Sequence, residues 1–155
     1  KPSRLQTRQA REWVQIADIL QEQAESGEPL LVQSGLIESS LVPGLYDDPM
    51  FMDYVACRAG RFYIKTPHPR YGLPFFWENN PPLEAFFANL LDEACATTSP
   101  VVWVAAATDT DLNQRSVAGL ASLLRRRGYT ADVTHEFESA VLMRYRCGRS
   151  SESRD

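Results

Sequence analysis

At 155 residues, 44% hydrophobic and 23% charged, the chain has the composition of one ordinary globular domain with a single buried core. Sixteen basic against 20 acidic residues leave a net charge of −4, which lacks the positive field that phosphate-backbone binding needs and argues against nucleic acid as a partner. No apolar run approaches the roughly 18 to 20 residues that span a bilayer, and no signal-peptide pattern of basic start and apolar core is present.

Residues 1–8 are polar and expected to fray, so one α/β domain is predicted over 9–147, with 148–155 a low-complexity tail too polar to bury surface. Trp13, Ile16, Ala17, Leu20 and Ala24 recur at helical spacing before Gly27, which predicts a first helix over about 9–26. Leu30 to Gln33 is an apolar run between Pro29 and Gly35, too short for a helix and suited to a buried strand. Asp48 offers a cap and Pro49 a first-turn proline for a helix over about 49–58, in which Phe51, Tyr54 and Val55 share a face and which Gly60 ends. Phe62 and Ile64 alternate with Tyr63 and Lys65, a modest strand that Pro67 and Pro69 terminate.

Thr66 to Pro82 is the longest irregular stretch. Its prolines argue against regular ladders, while Phe75, Phe76 and Trp77 give it more apolar surface than a solvated loop holds. Asn80 then caps a helix opened by Pro81 and Pro82, whose apolar face carries Leu83, Phe86, Phe87, Leu90, Leu91, Ala94 and Cys95. Val101 to Ala107 is a continuous apolar strand of the kind found mid-sheet, covered on both faces. Asp111, with Gln114 three residues on, reads as a variant capping box for a helix that buries Val117, Leu120, Ala121 and Leu124 and ends in Arg125, Arg126 and Arg127 before Gly128. Ala131, Val133, His135 and Phe137 alternate with polar residues, and a tight turn near Ser139 leads into a second alternating run, Val141, Met143, Tyr145 and Cys147.

The order is helix, strand, helix, strand, helix, strand, helix, strand, strand. Such alternation predicts an α/β fold, a three-layer Rossmann-like sandwich. Its mostly parallel sheet has about five strands, and the closing pair, joined by a tight turn, is antiparallel at one edge.

In open parallel sheets ligands sit at the carboxyl ends of the strands. Polar residues there are Ser34 and Glu38 after the first strand and Asp109 and Asp111 after the central one, a set able to bind a cation or take part in proton transfer. Against that use, Asp111 is already explained as a cap and Ser34-Gly35 as a turn. Neither GxGxxG nor GxxxxGK[ST] occurs, which disfavours dinucleotide binding, and no GxSxG elbow marks a hydrolase. His68 lies in the proline-rich loop, and His135, between Val133 and Phe137, reads as a hydrogen-bonded core residue. Cys57, Cys95 and Cys147 are odd in number and far apart, so no metal or cofactor is expected; Cys95 and Cys147 read as buried thiols, leaning towards a reducing compartment. The three arginines at 125–127 fit a favourable interaction with a helix terminus better than a phosphate or headgroup patch. Tyr71, Phe75, Phe76 and Trp77 form the candidate contact surface, with folding back over the domain's own sheet an equal alternative.

Arg11-Glu12-Trp13 at the first helix and Leu31-Val32-Gln33-Ser34-Gly35-Leu36-Ile37-Glu38 after it resemble the soluble C-terminal region of bacterial multi-pass glycosyltransferases. These are similar to dolichyl-phosphate-mannose protein mannosyltransferases and to the aminoarabinose transferases of lipid A. Asp47-Asp48-Pro49 through Asp53-Tyr54, the strand containing Trp103 and the closing strand pair fit the same pattern, so the likeness covers most of 9–147.

The resemblance implies a parent enzyme that moves a sugar from a polyprenyl-phosphate donor to an acceptor on the extracytoplasmic face of the bacterial cytoplasmic membrane. Catalytic acids of that family lie in loops between membrane spans, so no catalytic residue carries over to this chain. The fragment is then a non-catalytic, soluble, periplasmic accessory domain. Its implied partner is the parent's transmembrane region, with a lipid-linked sugar or the acceptor within reach. A chain starting at Lys1 without Met fits an excised piece of a longer protein or a tag remnant. The alternative is a free-standing Rossmann-like binding domain or enzyme using Ser34, Glu38, Asp109 and Asp111. A regulatory module comes third, without the acidic pocket and lysine of phospho-receivers.

Overall fold

The computed structural model describes residues 4–25, 27–33, 70–72, 81–96 and 100–148. In chain order these form α1 (Arg4–Gln23), β1 (Leu30–Gln33), β2 (Arg70–Gly72), α2 (Pro81–Ala96), β3 (Val101–Ala107), α3 (Asp111–Arg126), β4 (Tyr129–Glu136) and β5 (Ala140–Cys147). The helix expected over 49–58, the strand expected at 62–65 and residues 149–155 of the tail lie outside the described residues.

The first helix starts at Arg4, five residues before the expected start and nine before Trp13, the first residue of its apolar stripe. Leu, Arg, Gln and Ala are good helix formers, and they extend the helix where the stripe gives no signal. It stops at Gln23 rather than near 26, because Glu28 organises a turn in place of the last helical one. The Glu28 amide donates to Glu25 O at 3.2 Å, its carboxylate Oε1 accepts from the Glu25 amide at 2.6 Å, and Gly27 takes a positive φ of 89°.

The five strands form one open sheet in the order β2-β1-β3-β5-β4. β1 pairs in parallel with both β2 and β3, whereas β5 is antiparallel to both β3 and β4. The sheet is therefore mixed rather than mostly parallel. β4 does run in the same direction as β3, as a crossover through α3 requires, but β5 folds back into the gap between them and replaces the one parallel pairing with two antiparallel ones. The expected antiparallel pair at the edge is present.

β2 is a correction to the irregular stretch expected after Thr66. Arg70, Tyr71 and Gly72 lie between Pro69 and Pro74, keep their N–H groups, and pair on β1 at the sheet edge, where only one side of a strand needs partners.

Two apolar clusters sit on the two faces of the sheet. Along β3, Val102, Val104 and Ala106 point to one side with Leu31, Met143 and Tyr145, where Phe87, Leu90 and Leu91 of α2 and Leu120, Leu123 and Leu124 of α3 cover them. Val101, Trp103 and Ala105 point to the other side with Leu30, Val32 and Leu142, beneath Trp13, Ile16 and Leu20 of α1. Helices thus cover both faces, which is why β3 reads as an unbroken apolar run. All seven of its residues are buried.

Polar ties fix the α1 side. Glu12, 6% exposed, accepts the Ser139 amide on both carboxylate oxygens at 3.0 and 3.1 Å, and the Ser139 hydroxyl as well, clamping α1 to the β4–β5 turn. Glu28 Oε1 also accepts Trp103 Nε1 at 3.1 Å. The Arg144 guanidinium lies 5.7 Å from the Trp103 ring centroid and donates twice to Asp132, which also accepts from Arg146. Asp132 is the extra residue of a bulge between Ala131 and Val133, an insertion that irregularises the outer strand of the sheet.

Candidate functional site

The crevice sought from sequence is formed by the carboxyl ends of β1 and β3. The two strands are adjacent and parallel, with Gln33 opposite Ala106, so they end at the same level. From β1 the chain goes on to β2 on one side; from β3 it goes through α3 to β4 on the other. Such a divergence of connections marks the usual place for a ligand in an open α/β sheet.

Local chemistry explains how α3 enters this crevice. Thr110 is the N-cap: its backbone is extended (φ −128°, ψ 161°) and its hydroxyl accepts the Asn113 amide at 3.1 Å. The cap is one residue earlier than expected. Asp111 occupies the first helical position, where a carboxylate meets the positive end of the helix dipole. Gln114, expected as the far half of a capping box, instead donates from Nε2 to Thr108 O at 3.1 Å.

Asp109 and Asp111 are both exposed at this edge. Asp109 Oδ1 accepts from Asn113 Nδ2 at 2.6 Å. Ser34 and Glu38 lie outside the described residues, although Ser34 directly follows Gln33 in the chain. Behind the two aspartates is a buried polar group that sequence reasoning missed: Gln33 Nε2 donates to Ser116 Oγ at 2.7 Å, and Asn113 is 3% exposed. Asn113 Oδ1 is buried without a hydrogen-bond partner among the described residues. An unmade bond on a buried amide oxygen costs about 1–3 kcal/mol, so the oxygen is a standing acceptor for a donor brought by solvent or ligand. The signal was there to read. Gln33 is the polar end of an apolar strand, and Asn113 and Ser116 sit three apart on the apolar stripe of α3.

This constellation offers carboxylate and carbonyl acceptors to a donor-rich molecule, such as one bearing hydroxyl or ammonium groups. Its described residues hold no nucleophile with an adjacent base. Among the described residues no group of three His, Cys, Asp or Glu side chains is placed to hold a metal ion.

Tyr71 is half-buried in β2 and packs against the α2/α3-side core, while Phe75, Phe76 and Trp77 lie outside the described residues. His135 is half-buried on β4 opposite Leu142, and its Nε2 has no hydrogen-bond partner among the described residues, so the expected hydrogen-bonded core histidine is corrected on that point. Cys147, expected as a buried thiol, is half-buried and packs partly against the core; Cys57 and the Cys95 side chain lie outside the described residues. Of the three arginines, Arg126 reaches Glu84 of α2 at 3.4 Å and Arg127 pairs with Asp92 of the same helix. No helix among the described residues is long and apolar enough to cross a membrane.

No family model, curated protein or solved structure matches the chain.

Proposed function

We propose that this chain is a non-catalytic accessory α/β domain of a membrane glycosyltransferase that uses a polyprenyl-phosphate sugar donor, held on the extracytoplasmic face of the cytoplasmic membrane next to the parent's membrane-spanning region. The supporting observation is what the resemblance-bearing residues do. Glu12 clamps α1 to the β4–β5 turn, Trp13 fills the core under α1, and Trp103 anchors the central strand. These are marks of a fold, not of a reaction, and they suit a domain whose parent carries its chemistry elsewhere. The reading is tested by sequencing the native gene upstream of the Lys1 codon. Several hydrophobic segments of about 20 residues each are expected in the same open reading frame; an upstream region without them refutes it.

A second reading, a free-standing Rossmann-like ligand-binding domain, is favoured by the buried unpaired Asn113 Oδ1 beside Asp109 at the strand ends. A thermal-shift screen of polyols and amines tests it, since a ligand at about 100 times its Kd adds roughly 2.7 kcal/mol of stability. A shift that Asp109→Ala leaves unchanged removes this site.

A further inference from the structure

At the opposite end of α3 from the crevice, a cleft of about 440 Å³ opens between that helix and the start of β4. Ala121 and Arg125 line it from the helix, Gly128 from the turn, Tyr129, Thr130 and Ala131 from β4, and Tyr145 from β5. Its volume falls in the lower part of the range, roughly 300–1,000 Å³, that small-molecule sites occupy.

The charge distribution around the cleft is uneven. Arg126 and Arg127 turn to Glu84 and Asp92 of α2, and their charges are compensated there. Arg125, between the same helical turn and the cleft, has no ion-pair partner among the described residues. Its guanidinium acts on the Tyr145 hydroxyl: burial pushes that phenol above its ordinary value of 10.0, and Arg125 pulls it the other way. Among the described residues the Tyr145 hydroxyl donates to Met143 Sδ, at 3.5 Å, a weak acceptor that leaves the O–H available to a better one. The remaining lining is the Ala121 and Ala131 methyls, the Tyr129 ring, the Thr130 side chain and the Gly128 backbone, more apolar than polar. One cation without an ion-pair partner among the described residues and one weakly used hydroxyl donor thus stand over a mostly apolar floor.

We propose that this cleft binds a small anionic amphiphile, a flat apolar body carrying one phosphate or carboxylate group. Arg125 and the Tyr145 hydroxyl hold the head group, and the Tyr129 ring with the Ala121 and Ala131 methyls flanks the body. The planar guanidinium matches both head groups in a bidentate manner. The inference stands apart from the membrane-enzyme reading, and either can fail without the other.

The test is an amide chemical-shift titration of the full chain with 1-naphthyl phosphate, 1-naphthoate, 1-naphthol and inorganic phosphate. Saturable shifts centred on 121–131 and 145 are expected with the phosphate or carboxylate amphiphile. Whichever of the two binds more tightly identifies the head group. Arg125→Ala is expected to weaken that binding roughly tenfold or more, as loss of a charge-assisted hydrogen bond does, while Arg126→Ala leaves it unchanged. Tyr145→Phe, which keeps the ring, separates the hydroxyl from the packing. Naphthol binding as tightly as the charged probes would overturn the role of Arg125. Equal binding of inorganic phosphate would overturn the apolar floor, and the absence of saturable shifts at millimolar probe would overturn the site.

Discussion

Replacing Glu12 by Ala tests whether the helix that opens the chain is fastened by its carboxylate or only by its apolar stripe. The Ser139 amide and hydroxyl both terminate on Glu12, and Ser139 is itself buried. Removing the carboxylate strands a buried N–H and a hydroxyl, each costing about 1–3 kcal/mol when unmade, less the relief of no longer desolvating a charge. The hydroxyl can rotate to another acceptor, but the amide cannot. A loss of about 2–4 kcal/mol is therefore expected, a large share of the roughly 5–15 kcal/mol by which domains are stable. Ser139→Ala, which keeps the amide, should cost about 1–2 kcal/mol. Urea unfolding of both single variants and the double variant gives the coupling, expected at about 1–2 kcal/mol, with an unchanged slope against denaturant. A Glu12→Ala loss below about 0.5 kcal/mol, or strict additivity of the two changes, would show that the clamp contributes nothing beyond surface contacts.

Thr110→Ala should cost about 0.5–2 kcal/mol by urea unfolding, because it removes the observed N-cap, whereas Asp111→Asn should cost only a few tenths; the reverse ranking would restore Asp111 as the cap. Gly128 has φ +88° and nothing within 4 Å of where a Cβ would stand, so Gly128→Ala pays for conformation alone, about 1–2 kcal/mol in thermal or urea unfolding. Asp132 has its pKa held below the ordinary 3.8, first by the Arg144 hydrogen bond and also by Arg146. A depressed carboxylate stabilises the fold above the unfolded value and loses that contribution as pH falls through the folded value. The urea midpoint of Asp132→Asn should thus lie below wild type at about pH 6 and converge with it towards about pH 2; a constant gap would refute the ion-pair account.

Much of the secondary structure was legible because it follows from short-range rules. β1 and β3 are apolar runs bounded by proline and glycine or a polar turn, and both were placed to the residue. α2 and α3 follow from a 3.6-residue apolar period, with prolines opening α2 and Gly128 following the end of α3. Boundaries failed where a neighbouring side chain competed for the same backbone groups: Glu28 shortens α1, and Thr110 displaces Asp111 as cap. At the candidate site, Asp109 and Asp111 were found from their place after a strand. The buried polar residues behind them were not, because Gln33 and Ser116 meet across 83 positions of chain.

The sequence by itself determined the three described helices and the strands β1, β3, β4 and β5, and that the last two strands form an antiparallel pair, since each depends on residues a few positions apart. Tertiary structure alone decided that β5 enters between β3 and β4 and that Arg-Tyr-Gly at 70–72 finds a sheet edge. It also decided that Glu12 holds a turn 127 residues away, and that of three consecutive arginines two meet α2 while Arg125 faces a cleft. Periodicity reports the direction a side chain takes from its own backbone. What it meets there depends on how elements far apart in the chain are brought side by side.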